Sequence, residues 1–161
     1  MPPAAELILG EFSRTLDERF RLSLPPELLE PLLGDATTAT LAKERPGCLS
    51  LWEPVSGKAN LEAGVNLVKS KIAAGKLEGR WSEVQRLGRL LSTRQCAVQL
   101  ANRGRLLIPE SFRQFLGVEP NSAITVVGAG VCIEIWNPSA WLLYIEAEMP
   151  AFRSVFDQLT A

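Results

Sequence analysis

The sequence predicts a mainly β fold with helices, made of two copies of one unit that share a barrel-like core about an approximate two-fold. Three observations predict it: an internal repeat, a hairpin signal in each copy and a proline-led helix turn in each copy. Cys48-Leu49-Ser50-Leu51-Trp52-Glu53-Pro54 lines up with Cys132-Ile133-Glu134-Ile135-Trp136-Asn137-Pro138, an offset of 84 residues. The same step carries Leu16, Arg19, Arg21, Leu22, Pro25 and Leu32 onto Leu100, Arg103, Arg105, Leu106, Pro109 and Leu116, with no gap. Tandem copies of a short unit complete their core against each other, because neither buries its apolar face alone.

Each copy opens on a strand. If the chain stays extended, Asp17, Arg19, Arg21 and Ser23 share one face, and Leu16, Phe20, Leu22 and Leu24 the other, with Glu18 as the exception. In the second copy Arg103 and Arg105 share a face with Ala101, while Leu100, Leu106 and Ile108 point away. Extended residues rise about 3.3 Å each, so Asp17 and Arg21 would lie ~13 Å apart and could not pair. A turn through Glu18-Arg19-Phe20 would instead let Asp17 hold an arginine guanidinium. Both geometries remain open at this level.

A short helix follows each strand. Pro25-Pro26-Glu27 leads Leu28, Leu29, Leu32 and Leu33 to a stop at Gly34, and Pro109-Glu110 leads Phe112, Phe115 and Leu116 to Gly117. The hairpins come next, at residues 37–41 and 48–52 around Arg45-Pro46-Gly47, and at residues 123–127 and 131–135 around Gly128-Ala129-Gly130. No Walker or dinucleotide pattern surrounds those glycines. Between the copies, residues 58–91 read as helix with a break near Gly75 and Gly79. Leu61, Val65, Val68 and Ile72, then Trp81, Val84, Leu87 and Leu91, fall at helical spacing as core or subunit contacts. The last segment starts at Asn137-Pro138, a cap followed by proline, and runs through Trp141, Ile145, Phe152, Phe156 and Leu159 past a kink at Pro150. The expected organisation is therefore a first unit at 10–56, a connector at 57–92, a second unit at 95–138 and a C-terminal helix at 139–161.

At 161 residues with 47% hydrophobic content, the chain can build a core. Its longest apolar run, residues 123–136, is broken by Thr125, glycines and Glu134, so no membrane span is expected. The start, Met1 to Glu6, lacks the basic and apolar regions of a signal peptide, and a soluble cytoplasmic protein is expected. Three cysteines with no C-x-x-C give neither a disulfide framework nor zinc spacing. There is no histidine, which removes the commonest general base and the usual nitrogen ligand. No enzyme, metal or cofactor is expected.

A net charge of −1 conceals an uneven distribution. Residues 80–105 carry six arginines against Glu83 alone, a net +5, whereas residues 110–161 carry a net −4. Those arginines could be a solvated helix face. The pairs Arg19 with Arg21 and Arg103 with Arg105 suit phosphates along a duplex instead.

The run Gly10 to Pro25, GEFSRTLDERFRLSLP, resembles the opening of the MraZ family, bacterial transcription regulators with two SpoVT-AbrB units in one chain. Asn102 to Pro109, NRGRLLIP, resembles the same element in the second unit, and Glu134 to Trp141 the second hairpin and following helix. The resemblance implies an AbrB-type swapped-hairpin, or double-split β-barrel, architecture. It implies a ring-shaped homo-oligomer in the cytoplasm at the nucleoid, binding double-stranded DNA at promoter repeats of the division and cell-wall gene cluster, mainly as a repressor. The family's Asp-x-x-x-Arg signature falls on Asp17 and Arg21; in the second unit Arg105 matches but the aspartate position holds Ala101. Phe20 stands where glycine is usual and Arg14 where histidine is usual. The DNA-binding residues so implied are Arg14, Asp17, Arg19, Arg21, Arg103 and Arg105. An AbrB-like antitoxin or a purely structural ring is the alternative.

Overall fold

The computed structural model describes residues 6–161, with the side chains of residues 55–60 outside the description. Most of the Met1 to Glu6 stretch therefore lies outside the described residues. In chain order the elements are β1 (Ile8–Thr15), β2 (Arg21–Ser23), α1 (Pro26–Leu33), β3 (Thr38–Arg45), β4 (Cys48–Trp52), α2 (Pro54–Ala73) and α3 (Trp81–Arg94). The second half adds β5 (Gln95–Gln99), β6 (Arg105–Leu107), α4 (Glu110–Leu116), β7 (Ala123–Gly130), β8 (Ile133–Trp136), α5 (Pro138–Glu148), a 3-10 turn over Met149–Ala151 and α6 (Phe152–Thr160). Among the described residues helix accounts for 44% and strand for 30%, so the architecture is mixed, with a β core and helices outweighing it at the periphery.

Two sheets form. Six strands run in the order β1-β7-β8-β4-β3-β5, and β2 pairs with β6 alone. The larger sheet is open rather than a closed cylinder, with β1 and β5 as its edges. The reason is local: after β1 the chain turns at Asp17 and leaves the sheet to build β2, and after β5 it turns at Ala101 to build β6.

The repeat is expressed as reciprocal pairing. The first strand of each half lies on the hairpin of the other, β1 on β7 and β5 on β3, while β4 meets β8 and β2 meets β6 at the centre. The helices cross over likewise, α1 packing on β8 and α4 on β4. One cluster joins equivalent residues of both halves: Leu16 with Leu100, Leu22 with Leu106, Leu24 with Ile108, Leu28 with Phe112 and Leu49 with Ile133 are all buried in it. Each half is too small to exclude water from such a cluster by itself.

The ungapped alignment of the two copies hides two opposite single-residue shifts. Thr40 pairs with Trp52 in one hairpin and Thr125 with Trp136 in the other, so the third strands are offset by 85 residues and the fourth by 84. The loop before β7 is one residue longer and includes Asn121 at φ 60°. The bulge between Lys43 and Arg45 returns the first hairpin to register, since a bulge sets two residues against one.

The termini of the helices follow their sequence signals. Pro25 and Pro109 are extended at the starts of α1 and α4, and Gly117 closes α4 in the left-handed region at φ 72°. Asn137 caps α5 by accepting the N–H groups of Ser139 at 2.9 Å and Ala140 at 3.4 Å, and its own amide donates to the Gly117 carbonyl at 2.9 Å. Trp141 then returns to the sheet, its indole N–H donating to Glu11 Oε1 at 2.8 Å and its ring 5.3 Å from that of Trp136. The connector apolar residues are not core. Trp81 is 52% exposed, and α3 buries no residue.

Candidate nucleic-acid interface

The extended reading of the first arginine strand gives way to the turn. Phe20 N–H donates to the Asp17 carbonyl at 3.2 Å, and Asp17 N–H to the Arg21 carbonyl at 3.0 Å, closing a tight loop over residues 17–20. The Asp17 carboxylate locks it from within. Oδ1 accepts the N–H groups of Arg19 at 2.8 Å and Arg21 at 2.9 Å, while Oδ2 accepts Arg21 Nε at 2.6 Å. These bonds, led by the Arg21 backbone N–H, hold the carboxyl below its ordinary value of 3.8.

Phe20 sits in this turn at φ 59°, a region that costs an ordinary residue strain. Its ring is partly buried against the core, and the Arg113 guanidinium stacks on it at 4.3 Å while donating to the Ile108 carbonyl at 2.8 Å. Phe20 and Arg113 thereby offset the strain with packing.

The second loop closes without the carboxylate and by a different backbone course. Ala101 N–H donates to the Arg105 carbonyl at 2.9 Å, and Arg105 N–H to the Ala101 carbonyl at 2.7 Å. Asn102, Arg103 and Gly104 have φ of 35°, 63° and 93°. Gly104 is the counterpart of Phe20 and Leu29 that of Arg113: a Cβ on Gly104 would stand 2.2 Å from Leu29 Cδ1. One half puts an aromatic side chain in the turn and an arginine over it. The other half puts glycine there and a leucine over it. The two loops are also tied to each other, Ile108 N–H donating to the Phe20 carbonyl at 3.0 Å and Leu24 N–H to the Gly104 carbonyl at 3.1 Å.

The central pair β2–β6 sets both signature arginines on one face. Arg21 stands opposite Leu107, Leu22 opposite Leu106 and Ser23 opposite Arg105. Leu22 and Leu106 are fully buried, so Arg21, Ser23, Arg105 and Leu107 point outward, with Leu107 52% exposed. Arg21 and Arg105 are diagonal neighbours, ~8 Å apart by strand geometry. Arg19 and Arg103 are exposed at the two loop tips. Arg14 stays apart on β1, its guanidinium donating to the Ser13 carbonyl at 2.9 Å and lying 5.4 Å from the Phe12 ring centre.

Two members of this surface escaped the sequence reading. Leu107 was legible, since alternation from Arg105 puts it on the same face. Arg113 was not, because its contact with Phe20 spans the two halves and no local spacing encodes it.

The cysteines lie away from this face. Burial pushes the Cys132 thiol up to about 12 and the Cys48 thiol higher still. Among the described residues no group of His, Cys, Asp or Glu is placed to hold a metal ion, and no helix is long and apolar enough to cross a membrane.

Residues 93–158 match the family model described as MraZ protein, putative antitoxin-like. Over a longer span the chain is similar to proteins named transcriptional regulator MraZ. It is 29% identical over 150 residues to that of Nitrosospira multiformis, covering 89% of this chain and 90% of that one. It is 26% identical over 153 residues to that of Heliobacterium modesticaldum, covering 95% and 96%. It is 27% identical over 160 residues to that of Roseiflexus castenholzii, covering 96% and 97%.

Proposed function

We propose that this chain is a transcriptional regulator of the MraZ kind that binds double-stranded DNA in a sequence-specific way, as its similarity to proteins of that name supports. The observation that carries the reading is the outward face of β2–β6, where Arg21 and Arg105 stand side by side beneath the loop tips that bear Arg19 and Arg103. Two arginines on the β2–β6 face and two at the loop tips suit successive phosphates, and a guanidinium fork suits a base edge in the groove between them. Arg14, apart on β1, adds charge rather than specificity. The reciprocal halves, 10–56 and 95–138, are units of the SpoVT-AbrB type, with 57–92 a connector and 139–161 a tail.

The protein acts as a ring-shaped homo-oligomer at the nucleoid, on promoter repeats of the division and cell-wall gene cluster, and represses it. Support for self-association comes from apolar side chains that the single chain leaves uncovered. Leu142, Leu143, Phe152, Phe156 and Leu159 on α5 and α6 are each more than half exposed, and clustered exposed apolar side chains mark interaction surfaces. An antitoxin-like module, which the family description names, would use the same tail for a toxin.

Fluorescence anisotropy on the chain's own upstream promoter fragment, with light scattering in parallel, tests the proposal. Retention on the fragment by a particle larger than a dimer is the expected result. A monomer with no preference for DNA would leave the antitoxin-like reading standing.

A further inference from the structure

We infer that the two loops of each chain divide recognition between them: Arg21, held by Asp17, reads base edges, whereas Arg105 only grips phosphate. This rests on the DNA-binding reading above and assigns different work to positions that the repeat makes equivalent.

The difference begins with one side chain. Asp17 fixes Arg21 through Nε at 2.6 Å, and the same carboxylate fixes the backbone on which Arg21 stands. With Nε engaged, the two terminal nitrogens of the guanidinium have no hydrogen-bond partner among the described residues. They are the fork which meets two acceptors on one base edge, as guanine presents in the major groove. The loop itself is pinned from a second side, since Phe20 is packed on the core and under Arg113.

Arg105 has none of this. Its loop closes through backbone bonds alone, Ala101 supplies no carboxylate, and no side-chain partner of Arg105 is found among the described residues. An unheld guanidinium must be ordered on binding, and it accepts any anion within reach. Such a group adds affinity for every sequence and discriminates little. Asp17 is accordingly a positioning residue that acts through Arg21.

The experiment compares two probes: the duplex that the wild-type chain enriches from a random-sequence library, and a shuffled duplex of the same composition. The quantity read is the ratio of the two dissociation constants. Arg21→Lys keeps the charge and loses the fork, so the ratio falls roughly 5- to 150-fold while affinity for the shuffled duplex holds. Asp17→Asn keeps an oxygen for the turn and loses the ionic hold on Nε, and it lowers the ratio in the same direction. Arg105→Lys leaves the ratio unchanged. Ala101→Asp gives the second loop its carboxylate and raises the ratio, and Arg105→Lys in that background removes the gain. If Asp17→Asn unfolds the loop, Arg21→Lys and the Ala101→Asp pair still decide. Equal losses from Arg21→Lys and Arg105→Lys would overturn the division while leaving DNA binding intact. A wild-type chain that enriches no sequence would overturn the DNA-binding reading, and the division with it.

Discussion

Asp17 accepts three hydrogen bonds from two residues, so protonating it releases both the turn and Arg21. Its folded pKa lies below 3.8, which makes its contribution complete above that value and lost as pH falls through the depressed one. Preference for the enriched duplex should therefore be flat from neutral pH down to about pH 4 and decay only below it. A decline already under way at pH 6 would count against the carboxylate as the holder. Phe20→Gly removes left-handed strain worth ~1 kcal/mol but forfeits a partly buried ring and the Arg113 stack, worth ~2 kcal/mol. A net loss of about 1 kcal/mol by denaturant unfolding is expected, and a gain would mean that Phe20 is only strained. In the sequence, spacing alone showed that Asp17 and Arg21 could meet only through a turn. It could not choose between turn and strand, because the choice depends on Ile108 and Leu24 bonding across to the opposite loops.

The hairpins, the lid helices and the Asn137 cap were legible because each is encoded within a few residues: alternation, a leading proline, a closing glycine. The register shift between the copies was not. A bulge at Lys43–Arg45 and a longer loop before β7 cancel in the count, so the alignment shows nothing of either. Nor could the pairing of β1 with β7 be read from β1, since edge partners are chosen by the whole sheet. That pairing has its own requirement. Gly10 and Gly128 face each other in register, and a Cβ on Gly128 would stand 2.5 Å from the Ile8 carbonyl oxygen. Backbone cannot yield as a side chain can, so Gly128→Ala should detach the upper end of β1 and cost ~2 kcal/mol. Hydrogen exchange localises the effect: amides of residues 8–11 should lose protection while β4 and β8 keep theirs. Uniform loss across the sheet would show that β1 is not a separable edge.

At the scale of the molecule, the reciprocal pairing means that each half borrows its outer strand from the other, and the two loops inherit a fixed spacing from that exchange. Cys48 and Cys132 lie buried in equivalent parts of the fold with thiols held protonated, so neither should react with a thiol reagent until the chain unfolds. Labelling of the native protein at either position would show that the halves open. The basic surface belongs to this same arrangement. If the face of β2–β6 binds phosphate, log affinity falls with log salt by ~0.9 for each phosphate neutralised, and more steeply when several subunits bind together. The most direct test is retention of the promoter fragment by Arg21→Ala, Arg105→Ala and Arg86→Ala proteins, Arg86 being an exposed arginine of α3 away from β2 and β6 in the chain, with light scattering confirming that each keeps the wild-type particle size. Loss of retention in the first two, a shallower salt slope and little change in Arg86→Ala are predicted. Unchanged retention in the Arg21 and Arg105 variants would contradict the account, placing the DNA surface elsewhere.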